Sequence, residues 1–480
     1  MPLLLTAALA ASVLAEPVRE CVRAADSTRV DSILAGEMRR VRAPGAAMVV
    51  VRDGCIAYAR AFGVRSVETR DAMTTRSLVR IGSVTKAVTA LAAAQLAVRG
   101  ALDLDAPVGR YARDLRAPLR DVTMRELLTH TAGLVNEGAG TGSHDAEALA
   151  RRVRGWGAEK RFAPAGDVYS YSSPGYWLAG HVLAALTGSE YAAAVRAVVL
   201  DPLGMRASAF EPTLAMTHPL AVDHARRGDS TVVLRPFPDD ASTWPSGSLF
   251  SSADELARFG AALADSGRVD GRQLVDPRAV ALLVSPQVGV AGPGSESCGY
   301  TLGLSRCVVA GTAVIRHYGF RAGSCAVLAV VPARRAAIVI LANGPGAILR
   351  ESEQAALELL VGVRGNESPA APPSPARAFP AEAVGTFVSG ADTLTIFTRG
   401  DSAFYRYLAR PPQPARALGD GSVGVLGAGG DVEQQFSVVR GRSGTPYLHD
   451  GLNAFRRKTP ARGAAAPRAG AERGGRRAAP

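Results

Sequence analysis

Ser83-Val84-Thr85-Lys86 sets a hydroxyl and an amine three residues apart at the head of the apolar run Ala87–Val98, AVTALAAAQLAV. The chain has 55 basic residues, and Lys86, Lys160 and Lys458 are its only lysines. An arginine, with a pKa above ~12, cannot accept a proton near neutral pH, whereas a desolvated lysine can. That is a chemical reason for lysine at position 86. Residues i and i+3 share a helix face, so the Ser83 hydroxyl and the Lys86 amine point into one cavity, as an activated serine nucleophile requires. Serine is also a good helix N-cap and a lysine one turn later is commonly solvated, so the pair alone reads either way. The run that follows reads as a buried helix, and a buried helix opening on a serine and a lysine favours chemistry. Its N-terminal N–H groups favour negative charge developing near Ser83.

Working outward, a helix is predicted near 28–40, followed by a hairpin of Ala46–Val51 and Ile56–Ala59 around the turn Arg52-Asp53-Gly54. Helical patterns dominate from Ser83 to about Met205, including 173–186 and 190–199. Strand-like runs return at 299–304, 325–331 and 337–341, and a closing helix at 351–360. Strands, then helices, then strands imply one sheet assembled from both ends of a domain, with a helical region inserted between. Pro369 and the run Pro372-Pro373-Ser374-Pro375 mark a linker. Beyond it, β-like pieces at 393–398, 404–408 and 434–439 broken by glycine turns predict a small all-β sandwich or barrel.

The predicted organisation is a signal peptide over 1–15, a catalytic domain over 16–365, a proline-rich linker over 366–378, a small β domain over 379–457 and a disordered basic tail over 458–480. With 480 residues and 47% hydrophobic content the chain can bury a large core. MPLLLTAALAASVLA is uncharged and apolar, with small residues at Val13 and Ala15, as a secretion signal cut before Glu16 would have. No other stretch has the length and apolarity of a membrane helix, so the processed protein is expected to be soluble. Much of the net charge of +12 sits between Arg456 and Pro480, where eight basic residues meet one glutamate. Such a tail solubilises or weakly contacts anionic surfaces, and nothing suggests nucleic-acid recognition. Cys21, Cys55, Cys298, Cys307 and Cys325 allow one or two disulfides of unspecified connectivity. No C-x-x-C or H-E-x-x-H is present, and no metal or cofactor is expected.

Two later constellations complete the pattern. Tyr169-Ser170-Tyr171-Ser172-Ser173-Pro174-Gly175-Tyr176 precedes a helical run, and Arg316-His317-Tyr318-Gly319 leads toward the strand ending at Val331. Together with S-x-x-K, these resemble the Y-x-N and K/H-x-G elements of serine β-lactamases and penicillin-binding proteins. The resemblance is to the branch holding class C β-lactamases, DD-peptidases, D-aminopeptidases and carboxylesterases. Leu127–Leu134, Pro202–Met205, Ser246–Leu249 with Ser252-Ala253-Asp254, and Ile340–Gly344 also resemble recurrent segments of that branch, in the same order over roughly 30–362.

The resemblance implies an α+β fold: an antiparallel sheet flanked by helices with an inserted all-helical region. It implies Ser83 as acylated nucleophile, Lys86 as its proton acceptor or as the group that lowers a neighbour's pKa, and Tyr171 as general base or proton relay, Lys86 favouring its phenolate or sharing its proton. His317 would polarise the site or bind a substrate carboxylate. Backbone N–H groups of Ser83 and Phe320, next to Gly319, would form the oxyanion hole. Ser173 stands where the family has asparagine, so a substrate amide loses its usual partner. His317 in place of lysine resembles the esterase and peptidase members. Tyr169, Tyr176, His130 and His181 read as structural, His130 bonding locally. The expected function is a secreted serine hydrolase acting on a small-molecule or peptide amide or ester, a peptidase or carboxylesterase. The alternatives are a true β-lactamase and a silent wall-peptide-binding protein. The C-terminal β unit is expected to restrict substrate size, so that its deletion broadens substrate range.

Overall fold

The computed structural model describes residues 24–458, apart from 139, 291–297, 345–347, 365–375 and 377. The expected signal peptide, most of the linker and all of the basic tail but Lys458 lie outside the described residues. Helix α1 (Ala24–Val41) leads to strands β1 (Gly45–Arg52) and β2 (Cys55–Gly63). Their turn places Asp53 at φ 52° and Gly54 at φ 75°, the pair of left-handed residues that suits a two-residue hairpin.

The sheet is completed from the other end of the domain by β3 (Val288–Gly289), β4 (Cys298–Tyr300), β5 (Ser305–Val309), β6 (Thr312–Arg321), β7 (Ser324–Val331) and β8 (Ala336–Ala342). Its order is β2-β1-β8-β7-β6-β5-β4-β3, antiparallel throughout. Strands β7 and β8 are buried along their whole length because both faces are covered, which is why they read as unbroken apolar runs. On one face, Met48, Val50, Val327, Ala329, Ile338 and Ile340 pack with Val30, Leu34 and Met38 of α1 and with Leu357 and Val361 near the domain's C-terminus. On the other, Val49, Leu328, Val330, Val339 and Leu341 join the larger core of the inserted region.

That region is built around α2 (Thr85–Val98), whose residues from Thr85 to Leu96 are all buried. It is not all-helical, as the resemblance implied. Three two-stranded ladders interrupt it, among them His224–Arg227 paired with Ser230–Val233. The predicted strand 299–304 is cut short after Tyr300, because the Thr301 N–H and hydroxyl both bond the Leu304 carbonyl (2.8 and 3.0 Å) and close a turn. A disulfide joins Cys298 of β4 to Cys307, the residue opposite it on β5, and Cys55 is also disulfide-bonded. Among the described residues no single helix is long and apolar enough to cross a membrane.

The C-terminal unit is an eight-stranded closed barrel of β9 (Gly385–Ser389), β10 (Asp392–Arg399), β11 (Ser402–Tyr407), β12 (Gln413–Ala417), β13 (Val423–Leu426), β14 (Val432–Arg440), β15 (Pro446–His449) and β16 (Ala454–Arg457). Each strand pairs with the next, and β16 returns to β9. Phe387, Leu394, Ile396, Tyr405, Phe436 and Leu448 fill it, and closure leaves no free sheet edge.

Candidate active site

Ser83 sits in a 3-10 turn, Gly82–Val84, that runs straight into α2. This turn carries Ser83 at the surface end of the helix, partly exposed, while Lys86 one turn on is wholly buried. The Lys86 Nζ stands 3.1 Å from Ser83 Oγ and donates to the Ser246 carbonyl at 2.8 Å. Ser246 is itself fixed by the Trp177 indole N–H, 2.7 Å from its Oγ.

Burial pushes the Lys86 amine well below its usual pKa, and the positive Arg321 pushes it the same way. Both effects favour the unprotonated amine, which, with one N–H spent on Ser246, has a lone pair to offer the Ser83 hydroxyl. Arg321 shares the site face of β6 with His317 and Gly319, and its buried Nε and Nη2 have no hydrogen-bond partner among the described residues. Nearby Arg80 is neutralised by a buried ion pair with Asp223.

Tyr171 meets the pair from the other side. Its hydroxyl shares a hydrogen bond with Ser83, and Lys86 Nζ lies 4.8 Å from its ring centre. Burial raises the Tyr171 pKa, and the Ser83 bond only partly offsets this. Of the two states expected for Tyr171, the phenolate is thus corrected: burial holds Tyr171 as a phenol, and it also favours the unprotonated form of Lys86.

His317 lies on β6 with its ring 6.2 Å from that of Tyr171, and its Nδ1 bonds the Tyr318 carbonyl at 2.7 Å. Burial pushes its pKa down to about 3, and any charge on Lys86 adds to this, so His317 is neutral near pH 7. Gly319 and Gly82 allow β6 to pass against the turn that carries Ser83. A Cβ on Gly319 would fall 1.9 Å from the Ile81 carbonyl, and one on Gly82, at φ 51°, 2.5 Å from Phe320 N. The Phe320 backbone is thereby brought beside Ser83, with its side chain turned outward, 48% exposed. Ser173 is the first residue of α3 (Ser173–Thr187), and its N–H donates to Asn136 Oδ1 at 3.0 Å.

His130 does more than bond locally. Its ring packs at a tilt against Tyr171, 4.3 Å between centroids, its Nδ1 accepts from the Ser172 N–H (3.0 Å), and its Nε2 meets the Tyr300 hydroxyl (3.2 Å). It braces the Tyr171 segment from beneath. His181 bonds Asp114 (3.0 Å), and Tyr169 and Tyr176 are buried. Ser83, Lys86, Tyr171, His317, Gly319 and Phe320 thus meet at one place, with Ser173 at its rim. Sequence reasoning missed Ser246, Arg321, Asn136 and the bracing role of His130. Ser246 stood in a segment already quoted for its resemblance, but its contribution is a carbonyl, which side-chain patterns do not reveal.

The family model described as Beta-lactamase matches residues 30–362. The chain belongs to the β-lactamase family. Esterase EstB of Burkholderia gladioli is 38% identical over 205 residues, 38% of this chain and about half, 51%, of the esterase. Penicillin-binding protein 4 of Amycolatopsis lactamdurans is 30% identical over 317 residues, 63% of this chain and 81% of that protein. The crystal structure of SurE is 27% identical with a TM-score of 0.76, covering 90% of this chain and 99% of SurE, and SurE with D-Leu matches at 26% and 0.71. An esterase and a penicillin-binding protein are thus among the relatives that this member of the β-lactamase family matches, and it spans about half the length of the esterase. Among the described residues no group of three or more His, Cys, Asp or Glu side chains could hold a metal ion.

Proposed function

We propose that this protein cleaves an ester or amide carbonyl through a Ser83 acyl-enzyme, as a carboxylesterase or peptidase. The observation that carries this is a wholly buried Lys86 amine, held well below its usual pKa, 3.1 Å from the Ser83 hydroxyl. In the acylation step the Ser83 proton passes to Lys86 Nζ as Oγ bonds to the carbonyl carbon. The charge gathers on the carbonyl oxygen, which the Ser83 and Phe320 N–H groups receive. Collapse breaks the bond to the leaving alcohol or amine, which takes a proton from the Tyr171 hydroxyl, and Tyr171 recovers it from Lys86. Water then hydrolyses the serine ester through the same groups.

Two features favour simple esters over β-lactams. Ser173 offers no amide to a substrate side-chain amide, and the neutral His317 puts no fixed charge opposite a β-lactam carboxylate. A similar structure was solved with D-Leu, which supports an ester or amide of a D-amino acid as the first candidate substrate. The Cys298–Cys307 disulfide supports an exported protein.

The test is a time course with p-nitrophenyl butyrate, a D-leucyl peptide ester and a chromogenic cephalosporin, with Ser83→Ala as control. Sustained ester turnover lost in the variant is expected, with at most one equivalent of cephalosporin consumed. Sustained cephalosporin turnover would make the protein a β-lactamase. Failure of all three, with no covalent label on Ser83 from a fluorophosphonate, would make it a silent binder.

A further inference from the structure

The stretch that ends in Tyr171 is held from one side by the C-terminal barrel, almost residue by residue. Asp167, buried, takes the Tyr447 hydroxyl on Oδ2 at 2.6 Å, the Ser443 N–H on Oδ1 at 2.6 Å and the Ser443 hydroxyl on Oδ2 at 3.0 Å, while its carbonyl accepts from the Arg442 N–H at 2.9 Å. Burial pushes the Asp167 carboxyl up, but these donors outweigh it and hold it below the usual value, so it is ionised. Val168 and Ala163 pack against Tyr447 and Ala454.

The Tyr169 carbonyl meets His449 Nε2 at 3.0 Å. His449 Nδ1 accepts from the Gly451 N–H at 2.9 Å, which fixes the proton on Nε2 and makes it the donor. Ser170 Oγ accepts from the Ala454 N–H at 3.1 Å, and the Tyr171 N–H donates to the Leu452 carbonyl at 2.9 Å. The turn that presents Leu452 is tied by Asp450, whose Oδ1 takes the N–H groups of Leu452 and Asn453 at 2.9 and 2.6 Å. A second barrel turn presses on the loop below: a Cβ on Gly390 would fall 2.2 Å from Val135 Cγ1, and the Val135 carbonyl takes the Ser172 hydroxyl at 3.1 Å.

We propose that the barrel is part of the catalytic centre, its 443–454 segment setting where Tyr171 stands, with Asp167, Tyr447, His449 and Asp450 as positioning residues. Tyr171 lies in an irregular segment outside any strand or helix, so no ladder of its own fixes it. Its main chain is trapped between His130 and the barrel. This rests on the reading of Tyr171 as the proton relay. It also replaces the expectation that deleting the barrel would merely broaden substrate range: deletion removes the outer wall of the Tyr171 segment.

The test uses the full chain and p-nitrophenyl butyrate, with Asp450→Ala and Tyr447→Phe each made in the wild-type and Tyr171→Phe backgrounds. A displacement of the order of 1 Å lowers rates by up to about 100-fold. Each variant is expected to lower kcat about 10- to 100-fold in the wild-type background, with KM changed less than about twofold, and to have no further effect once Tyr171 is phenylalanine. Equal losses in both backgrounds, or an unchanged kcat, overturn the proposal. A second measurement needs no turnover. Hydrogen exchange of 167–172 should accelerate in Asp450→Ala while α2 stays protected, and unchanged exchange at 167–172 overturns the proposal even if the protein proves to hydrolyse nothing. Absence of wild-type turnover with faster exchange would strike the proposed function alone.

Discussion

Replacing Lys86 by methionine separates what the amine does for chemistry from what its burial costs the fold. The unfolded chain carries this lysine at a pKa near ~10.4, whereas burial and Arg321 hold it well below that in the folded state. Between the two values the unfolded chain binds more protons than the folded one. Stability must then rise with pH, by up to about 1.4 kcal/mol per pH unit. Below the folded value the full penalty is present, and above ~10.4 it is gone. In Lys86→Met this slope disappears. The Ser246 carbonyl loses its donor, at a cost of about 1–3 kcal/mol that does not depend on pH. The buried histidines do not interfere above pH 7, since His317 is pushed down to about 3 and His130 well below its ordinary value. Trp156, Trp177 and Trp244 are the only tryptophans and all lie outside the barrel, so their fluorescence reports the catalytic domain alone. Urea unfolding at pH 7, 8 and 9 should show the wild type gaining on the variant by up to about 1.4 kcal/mol per unit, while esterase activity falls about 10²- to 10⁴-fold. A stability difference that stays flat across these pH values would refute the neutral-amine reading.

Three further outcomes test other parts of the site. Gly319→Ala drives a methyl toward the Ile81 carbonyl, 1.9 Å from its ideal position; β6 must retreat with Phe320, and kcat for p-nitrophenyl butyrate should fall about 10²- to 10³-fold, whereas wild-type turnover would remove Phe320 from the oxyanion hole. Arg321→Gln removes a charge that holds Lys86 down, so the acid limb of kcat/KM against pH should move to higher pH, and an unmoved limb would contradict the coupling. Ser173→Asn restores an amide at the rim and should raise kcat/KM for a peptide amide up to about tenfold while leaving a simple ester unchanged. Equal effects on both substrates would show that the amide is not read there.

Ser83 and Lys86 were legible because two rare circumstances coincide in the sequence: helical i, i+3 spacing and a lysine in a chain that otherwise uses arginine. The hairpin at Asp53-Gly54 was legible because its turn demands left-handed residues, and α3 because Ser172 and Pro174 mark a helix start, with Ser172 Oγ accepting from the Gly175 N–H. The protonation state of the centre was not. A lone sequence suggests that lysine activates tyrosine, but burial leaves Tyr171, His130 and His317 neutral and shifts Lys86 toward its unprotonated form. Five of the eight barrel strands were missed as well. Gln413–Ala417 and Val423–Leu426 are too short and too rich in polar or small residues to show an alternation, and closure of the barrel is what holds them.

The sequence by itself determined the pairing of Ser83 with Lys86, the helix that carries them and the central strands behind it, because spacing, apolar periodicity and turn chemistry are local properties of the chain. Tertiary structure alone decided that the Ser246 carbonyl receives Lys86, that His130 lies beneath Tyr171, and that Asp167 is clasped by Ser443 and Tyr447 some 280 residues away along the chain. Those contacts depend on main-chain groups and on burial. Both arise only when distant segments pack, since a carbonyl has no residue identity and a pKa shift no local pattern.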